Sequence, residues 1–301
     1  MTTIPSSTLR IKQAVITVGG RATRLLPATK QQPKSMLPLF TLGRTGELST
    51  TPILQRIFEG LFDEGIREFY FIIGKSKRAV QDHFNSDREY VELLEGQERI
   101  AQAKELLDFY RKLQESYLIW VNQTRPKGFG HAVLLSEPLM RTNESFLVHA
   151  GDTFIVSESD IFGRLSRTHL DRKAQATITL QEVPDPRRFG IATVEDNHDG
   201  TFTVKRVIEK PAKSESHLAI MALYAFDSEI FDALNNLQPG NGGEVQLTDA
   251  IQKLIENGRK VQALKMGPRD YVLDIGTPET YWEALEFTHN YFAQSATLGE
   301  A

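Results

Sequence analysis

The chain has 301 residues, 40% of them hydrophobic, which is enough to bury a substantial core. Lys and Arg number 35 against 39 Asp and Glu, so the formal net charge of −4 excludes an overall basic footprint for nucleic acid or an anionic membrane, and any anion site must be local. The absence of cysteine excludes disulfides, thiolate nucleophiles and thiolate metal sites. The opening "MTTIPSSTLRIKQ" lacks a signal-peptide core, and no apolar run approaches the roughly 20 residues that span a bilayer, so a soluble cytoplasmic protein is expected.

In chain order, "QAVITV" (13–18) predicts a buried strand. "PILQRIFEGLFDEG" (52–65) predicts a helix with Pro at its start and Gly at its end, and "FYFII" (69–73) a second strand, which together make a βαβ unit. The segment 88–115 carries Leu93, Ile100, Ala103, Leu107, Tyr110 and Leu113 near helical spacing, and predicts an amphipathic helix or helical pair lying on the sheet. Surface for a subunit partner is the second reading of it. "YLIWV" (117–121), a helix from about His131, "SFLVHA" (145–150), a helix in the 160s and "ATITLQ" (176–181) continue the alternation. They predict an α/β fold with a mainly parallel central sheet and helices on both faces. The rhythm then changes: "GIATVE" (190–195) and "TFTVKRVIE" (201–209) flank the turn-rich "DNHDG" and predict a β-hairpin, followed by a strand at "AIMALYAF" (219–226). Helix returns in "VQLTDAIQKLIENG" and "PETYWEALEFTHNYF". We expect one domain over 1–301, with a core at about 11–290, a helical insertion at about 85–115 and a C-terminal helical tail at about 278–301.

Several polar groups stand at the ends of these elements. The stretch "GGRATRLLPATKQQPKSMLP" (19–38) follows the first strand, where Gly19 and Gly20 can present backbone N–H groups to a phosphate and Arg24 and Lys34 can neutralise it. It is neither a P-loop nor a G-x-G-x-x-G fingerprint, and on spacing alone a tight turn with solvated basic residues accounts for it equally well. Asp152 follows "SFLVHAG", at the strand end where open α/β sheets bind ligands, although a lone Asp is more often a loop or capping residue. Asp274 in "YVLDIGT" has a similar apolar lead-in. Glu209 and Lys210 in "VIEKP" can face one ligand only if the strand ends or twists there, because neighbours on a strand point oppositely; an edge ion pair is the plain alternative. Gly190 in "RRFGIAT" reads as a strand-start turn. In "WVNQTRPKGFGHA" (120–132), Gln123 stands at a strand end and Gly128 in a polar loop. His131 and His149 lie too far apart to form a motif and read as structural or incidental.

The order of "GGRATRLLPATKQQPKSMLPL", "KGFGHAV", "GDTF", "VIEKP", "GGEVQLTDAI" and "LDIGT" over about residues 11–290 resembles the nucleoside-triphosphate:sugar-1-phosphate nucleotidyltransferases. The resemblance implies a Rossmann-like sheet and a reaction in which a sugar-1-phosphate oxygen attacks the α-phosphorus of the nucleotide and releases pyrophosphate. Such transfer needs positioning and charge neutralisation more than covalent help. It implies that Arg24 and Lys34 contact the triphosphate, with Gly19, Gly20, Ala22 and Thr23 wrapping it. Gln123 and Gly128 would read uracil or thymine, Gly190 would lie beside the sugar, Glu209 would accept from sugar hydroxyls and Lys210 would bind the sugar phosphate. Asp152 and Asp274 would hold Mg²⁺. The insertion after "KRAVQDHF" and the phrase "GGEVQLTDAI" look more like members that use UTP than members that use dTTP. The expected substrates are therefore UTP and glucose-1-phosphate, the products UDP-glucose and pyrophosphate, and the assembly a homo-oligomer, dimer or tetramer. The alternatives are a transferase for dTTP or another sugar phosphate, and a non-catalytic homologue. The chain departs from the family pattern at Ala22, where G-x-G-T-R has its second glycine, and at His217 and Ala222, where Asn and Gly are usual.

Overall fold

The apolar run at residues 13–18 forms the buried strand from which the site is built outward. The computed structural model describes residues 10–20, 22–43, 45–75, 78–140, 144–238, 240 and 243–298. The start of the chain, Arg21 in the expected phosphate-wrapping stretch and the last three residues of the tail lie outside the described residues.

After β1 (Gln13–Val18), the strands β2 (Pro38–Leu42) and β3 (Leu48–Pro52) pair as a separate antiparallel ribbon. Helix α1 (Ile53–Asp63) starts directly after Pro52 and buries Ile53, Leu54, Ile57, Phe58, Leu61 and Phe62, the stripe expected of a helix lying on a sheet. Then come β4 (Glu68–Gly74), α2 (Arg78–His83), α3 (Arg88–Gly96), α4 (Ile100–Gln114), β5 (Tyr117–Gln123) and α5 (Phe129–Leu134). They are followed by β6 (Phe146–Ala150), β7 (Thr153–Ser157), α6 (Ile161–Arg172) and β8 (Ala176–Glu182). The chain continues through β9 (Gly190–Asp196), β10 (Thr201–Glu209), β11 (Leu218–Phe226), α7 (Glu229–Asn235), α8 (Leu247–Glu256), β12 (Val261–Lys265), β13 (Asp270–Asp274) and α9 (Pro278–Leu298).

Nine of these strands form one sheet in the order β5-β4-β1-β6-β11-β8-β12-β10-β9. The expectation of a mainly parallel sheet describes its first half: β5, β4, β1 and β6 are parallel neighbours. Beyond β6 the sheet is mixed, because β11 runs back between β6 and β8, and β10 is antiparallel to both β12 and β9. A run such as "ATITLQ", buried on both faces, looks the same whichever way its neighbours run, so its sequence carries no sign of direction. Helices cover both faces. Ala14, Ile16 and Val18 of β1 face the cluster with α1, α4 and α6, and Val15 faces the cluster with α5, α7 and α8.

The insertion is a helical pair, and its apolar stripe is corrected. Ala103, Tyr110 and Leu113 are buried, but Leu93, Ile100 and Leu107 are exposed, while Val91, Leu94 and Phe109 turn inward. The break between α3 and α4 resets the helical phase, so one spacing cannot run through both. Phe109 anchors the pair against Phe58 and Phe84, with ring centroids 6.0 and 5.6 Å away. Truncating such a ring costs about 3–5 kcal/mol, whereas the exposed Arg111 ion pairs with Asp108 and Glu115 are screened by solvent, so the aromatic contact holds the insertion.

Candidate active site

Strand order reverses at β1: the chain moves outward through β4 and β5, then returns to place β6 on the other side of β1. Open α/β sheets bind ligands at such a switch point, beyond the carboxyl ends of the strands. Those ends are level here, since Thr17 pairs with Ala150, Val18 with Ile73 and Gly74 with Gln123. Thr17, Val18, Gly20, Lys34, Gly151 and Asp152 line a narrow crevice at the reversal, and the Lys34 ammonium is ion-paired with the Asp152 carboxylate.

At Gly19 the backbone is closely overlaid, because a side chain there would run into the Gln123 amide oxygen. Gln123 is buried, and its amide nitrogen lies 3.1 Å from His131 Nδ1. Gly128 adopts φ 101°, and an added Cβ would lie 2.6 Å from the Val245 carbonyl, so both conformation and space require glycine. The Val245 N–H donates to the Lys127 carbonyl at 2.7 Å and the Gly130 N–H donates to the Val245 carbonyl at 2.9 Å, which fixes the start of α5.

The second aspartate arrives through the small sheet that sequence reading missed. Strands β7 and β13 pair antiparallel with Asp274 opposite Thr153, which brings it beside Asp152. Asp270 braces the far end of β13, accepting from Ser157 Oγ at 2.6 Å and from the Gly267 N–H at 2.7 Å. Burial and then the like charge of Asp152 push the Asp274 carboxyl above the usual carboxylate range, opposed by Lys34, the Gly276 N–H and Arg188. Among the described residues no group of three His, Asp or Glu gathers into a metal cluster. Asp274, so disfavoured by burial and by its neighbour's charge, nevertheless makes with Asp152 a fitting hard-oxygen pair for a divalent cation that draws its remaining ligands from phosphate and water.

Asp274 lines a cavity of about 840 Å³ together with Arg24, Arg187, Arg188, Lys210 and Thr280. Strand β10 ends at Glu209, and Lys210 turns into the left-handed region at φ 44°, with its N–H donating to the Phe189 carbonyl at 2.9 Å. That turn answers the question of direction posed by adjacent strand residues. Lys210 Nζ lies 3.4 Å from Glu209 Oε1, and the Thr248 hydroxyl donates to Glu209 Oε2 at 2.7 Å. Gly190 begins β9 against Thr248, where an added Cβ would lie 2.7 Å from the hydroxyl oxygen.

The fold thus groups Gly20, Lys34 and Asp152 in the crevice, Gly19 and Gln123 beside each other, Arg24, Lys210 and Asp274 around the cavity, and Gly190 and Glu209 on Thr248. Ala22 and Thr23 form the turn that presents Arg24. Ala22 is left-handed at φ 50°, and its carbonyl accepts from the Thr29 hydroxyl at 2.7 Å. Arg187 and Arg188 were not singled out, although "RRFG" places two cations directly before Gly190, and Thr248 lay unassigned within "GGEVQLTDAI". His217 bonds to the Val183 carbonyl at 3.0 Å, and Ala222 falls where the β11 register with β8 is interrupted.

Cations and paired carboxylates around a cleft at the switch point define a protein that handles phosphate esters, and the chain belongs to the nucleotidyl transferase family, whose model matches residues 13–291. Among its relatives is the UTP-glucose-1-phosphate uridylyltransferase of Pseudomonas aeruginosa, 32% identical over 288 residues that cover 94% of this chain and 97% of the relative. The enzyme of the same name from Bacillus subtilis (strain 168) is 35% identical over 257 residues, covering 82% and 81%. In three dimensions the chain is similar to a UTP-bound UGPase from Acinetobacter baumannii, with a TM-score of 0.78 at 26% identity, covering 92% of this chain and 93% of that one.

Proposed function

We propose that this chain is a uridylyltransferase that converts UTP and glucose-1-phosphate to UDP-glucose and pyrophosphate. The observation that carries this reading is the meeting of Asp152 and Asp274 between the Lys34 crevice and a cavity walled by Arg24, Arg188 and Lys210. The names of the relatives supply the substrates.

Arg24 and Lys34 neutralise the triphosphate, with Gly19, Gly20, Ala22 and Thr23 beside it, and Lys34 reaches the phosphates by leaving Asp152. Lys210 holds the sugar phosphate, so that one of its oxygens attacks the α-phosphorus. The bond from that phosphorus to the bridging oxygen breaks, and pyrophosphate departs with the electron pair. Once Lys34 has left Asp152, the cations along the cleft face the developing charge and stabilise it. Glu209, held by Thr248, accepts from sugar hydroxyls next to Gly190, and Gln123 with the Gly128 backbone reads uracil. Asp152 and Asp274 would hold Mg²⁺, which supplies charge neutralisation at the phosphates when bound.

The same proposal treats 1–301 as one cytoplasmic nucleotidyltransferase domain assembled as a homo-oligomer, dimer or tetramer. The exposed apolar residues Tyr90, Leu93, Ile100 and Leu107 on α3 and α4 offer surface for such an assembly, and light scattering that finds only monomer would remove this part. Among the described residues no helix is long and apolar enough to cross a membrane.

The deciding experiment is pyrophosphate release with Mg²⁺, comparing UTP with dTTP and glucose-1-phosphate with galactose-1-phosphate. UTP with glucose-1-phosphate is expected to be the most efficient pair. No release with any pair would point to a non-catalytic homologue, and a higher kcat/KM for dTTP would reassign the nucleotide.

A further inference from the structure

Asparagine and glutamine amides have two ends of nearly equal size, one accepting and one donating, so a base-reading Gln selects nothing unless a neighbour fixes which end faces the ligand. We infer that His131 is that neighbour: it positions the Gln123 amide with its oxygen outward, and so determines that the pocket admits uracil over cytosine. The inference rests on the proposed reading of the base by Gln123.

Gln123 Nε2 lies 3.1 Å from His131 Nδ1. An amide nitrogen only donates, so Nδ1 accepts and the imidazole carries its proton on Nε2. Burial, and then the charge of Lys127, hold the His131 pKa below its ordinary value, which keeps the Nδ1 lone pair available at neutral pH. With the nitrogen taken, Oε1 is the free end, and it lies over Gly19 in the loop that leaves β1. The geometry is rigid on both sides. Gln123 ends β5 in register with Gly74, and the start of α5 is tied to Val245 by the bonds from Gly130 and to Lys127.

An outward carbonyl accepts from uracil N3–H. Cytosine presents a lone pair at N3, so two acceptors would face each other unless the amide turned over, and turning it over breaks the bond to His131 or forces the other tautomer. Leaving a buried polar group unpaired in this way is worth about tenfold or more in discrimination. "KGFGHAV" thus joins a glycine turn to a histidine that acts through the preceding strand.

The test is the ratio of kcat/KM for UTP over CTP in the parent and in four variants, each checked for an unchanged melting profile. UTP and CTP carry the same charge, so effects on phosphate binding cancel in the ratio. Asp places Oδ1 where His has Nδ1 and can only accept, so His131→Asp should keep the ratio within about threefold. His131→Leu offers no acceptor and should lower it about tenfold, through the KM for UTP more than kcat, and His131→Asn, which can present either end, should fall between. Gln123→Ala should lower the ratio as far as His131→Leu. A parental ratio in His131→Leu alongside a lowered one in Gln123→Ala would overturn the role of His131 and leave Gln123 as the reader. Equal losses in His131→Asp and His131→Leu would overturn it too. A parental ratio in Gln123→Ala would remove the base-reading proposal itself.

Discussion

The nucleotide and sugar sides of the proposed site are held by different means. On the nucleotide side, Gly19, Gly20, Gln123 and Asp152 lie at or just beyond the ends of adjacent parallel strands, and the chain approaches so closely that Gly19 leaves no room for a side chain beside Gln123. On the sugar side, Glu209 ends a strand of an antiparallel hairpin with Lys210 turning just beyond it, and Thr248 from α8 fixes the carboxylate. The first side depends on backbone proximity, which a single methyl can spoil. The second depends on side chains reaching from different elements, and departures from the family pattern occur on both sides, at Ala22 in the glycine turn and at His217 and Ala222 just before and within β11.

The two aspartates join these sides, and replacing either should produce the largest effect. Asp152→Asn and Asp274→Asn are each expected to lower kcat roughly 100- to 1,000-fold, corresponding to several kcal/mol of lost charge stabilisation. Asp274→Asn should not weaken the fold, because burial and then its like-charged neighbour already disfavour the carboxylate. Steady-state kinetics with both variants near parental turnover would break the assignment.

The lysines should then separate the sides. Lys34→Ala is expected to raise the KM for UTP about ten- to a hundredfold with less effect on glucose-1-phosphate, and Lys210→Ala the reverse. Equal defects on both substrates would erase the division.

Acid sharpens the comparison at the level of the scaffold. His169 on α6 bonds to Thr177 of β8 and to Ser145, each at 3.1 Å, and burial holds its pKa at about 4. The unfolded chain takes up this proton near pH 6.5 and the folded one only near 4, so its contribution is full above 6.5 and is lost as pH falls toward 4. Between pH 7 and pH 5 the loss is roughly 2 kcal/mol. Thermal melts should show His169→Asn less stable than the parent at pH 7 but less sensitive to acid across that interval.

The smallest effect concerns the phosphate turn. Ala22 already occupies the left-handed conformation that the family's glycine adopts freely, so Ala22→Gly should raise stability by about 0.5–1 kcal/mol. The KM for UTP should stay within twofold, because Thr29 and the turn already hold the backbone in place. A large fall in KM would mean that the alanine distorts the loop.

Legibility in the sequence followed the range of the interactions. Strand β1, helix α1, the β9–β10 hairpin and the glycine turns announce themselves through local periodicity and turn chemistry. The pairing of "TFIVS" with "DYVLD" does not, because its two short partners lie more than a hundred residues apart and the apolar residues of each give no sign of the other. The ribbon of "PLFTL" and "LSTTP" was hidden for a related reason, since terminal prolines and a run of Ser and Thr read as loop. The placement of Gly19, Gln123, Asp152 and Glu209 at or just beyond strand ends was visible in advance. Thr248 and Arg188 are not marked in the sequence, because what they face, Glu209 and Asp274, comes from distant elements, and His131 reads as structural because the turn that sets it against Gln123 is visible only in three dimensions.

The C-terminal helix α9 lines the large cavity with Thr280, Glu283, Ala284 and Phe287, and is tied back to the early β2 by a Tyr281 hydroxyl that donates to the Pro38 carbonyl at 3.1 Å. During synthesis at about 5–20 residues per second, the first βαβ unit leaves the ribosome many seconds before Asp274 and this helix. The nascent chain can therefore fold its phosphate turn early yet holds only one of the two aspartates until the final strand and helix emerge. With the roles proposed for the two aspartates, translation itself times the appearance of activity, and a product cut short before residue 274 is expected to be silent however well its first half folds.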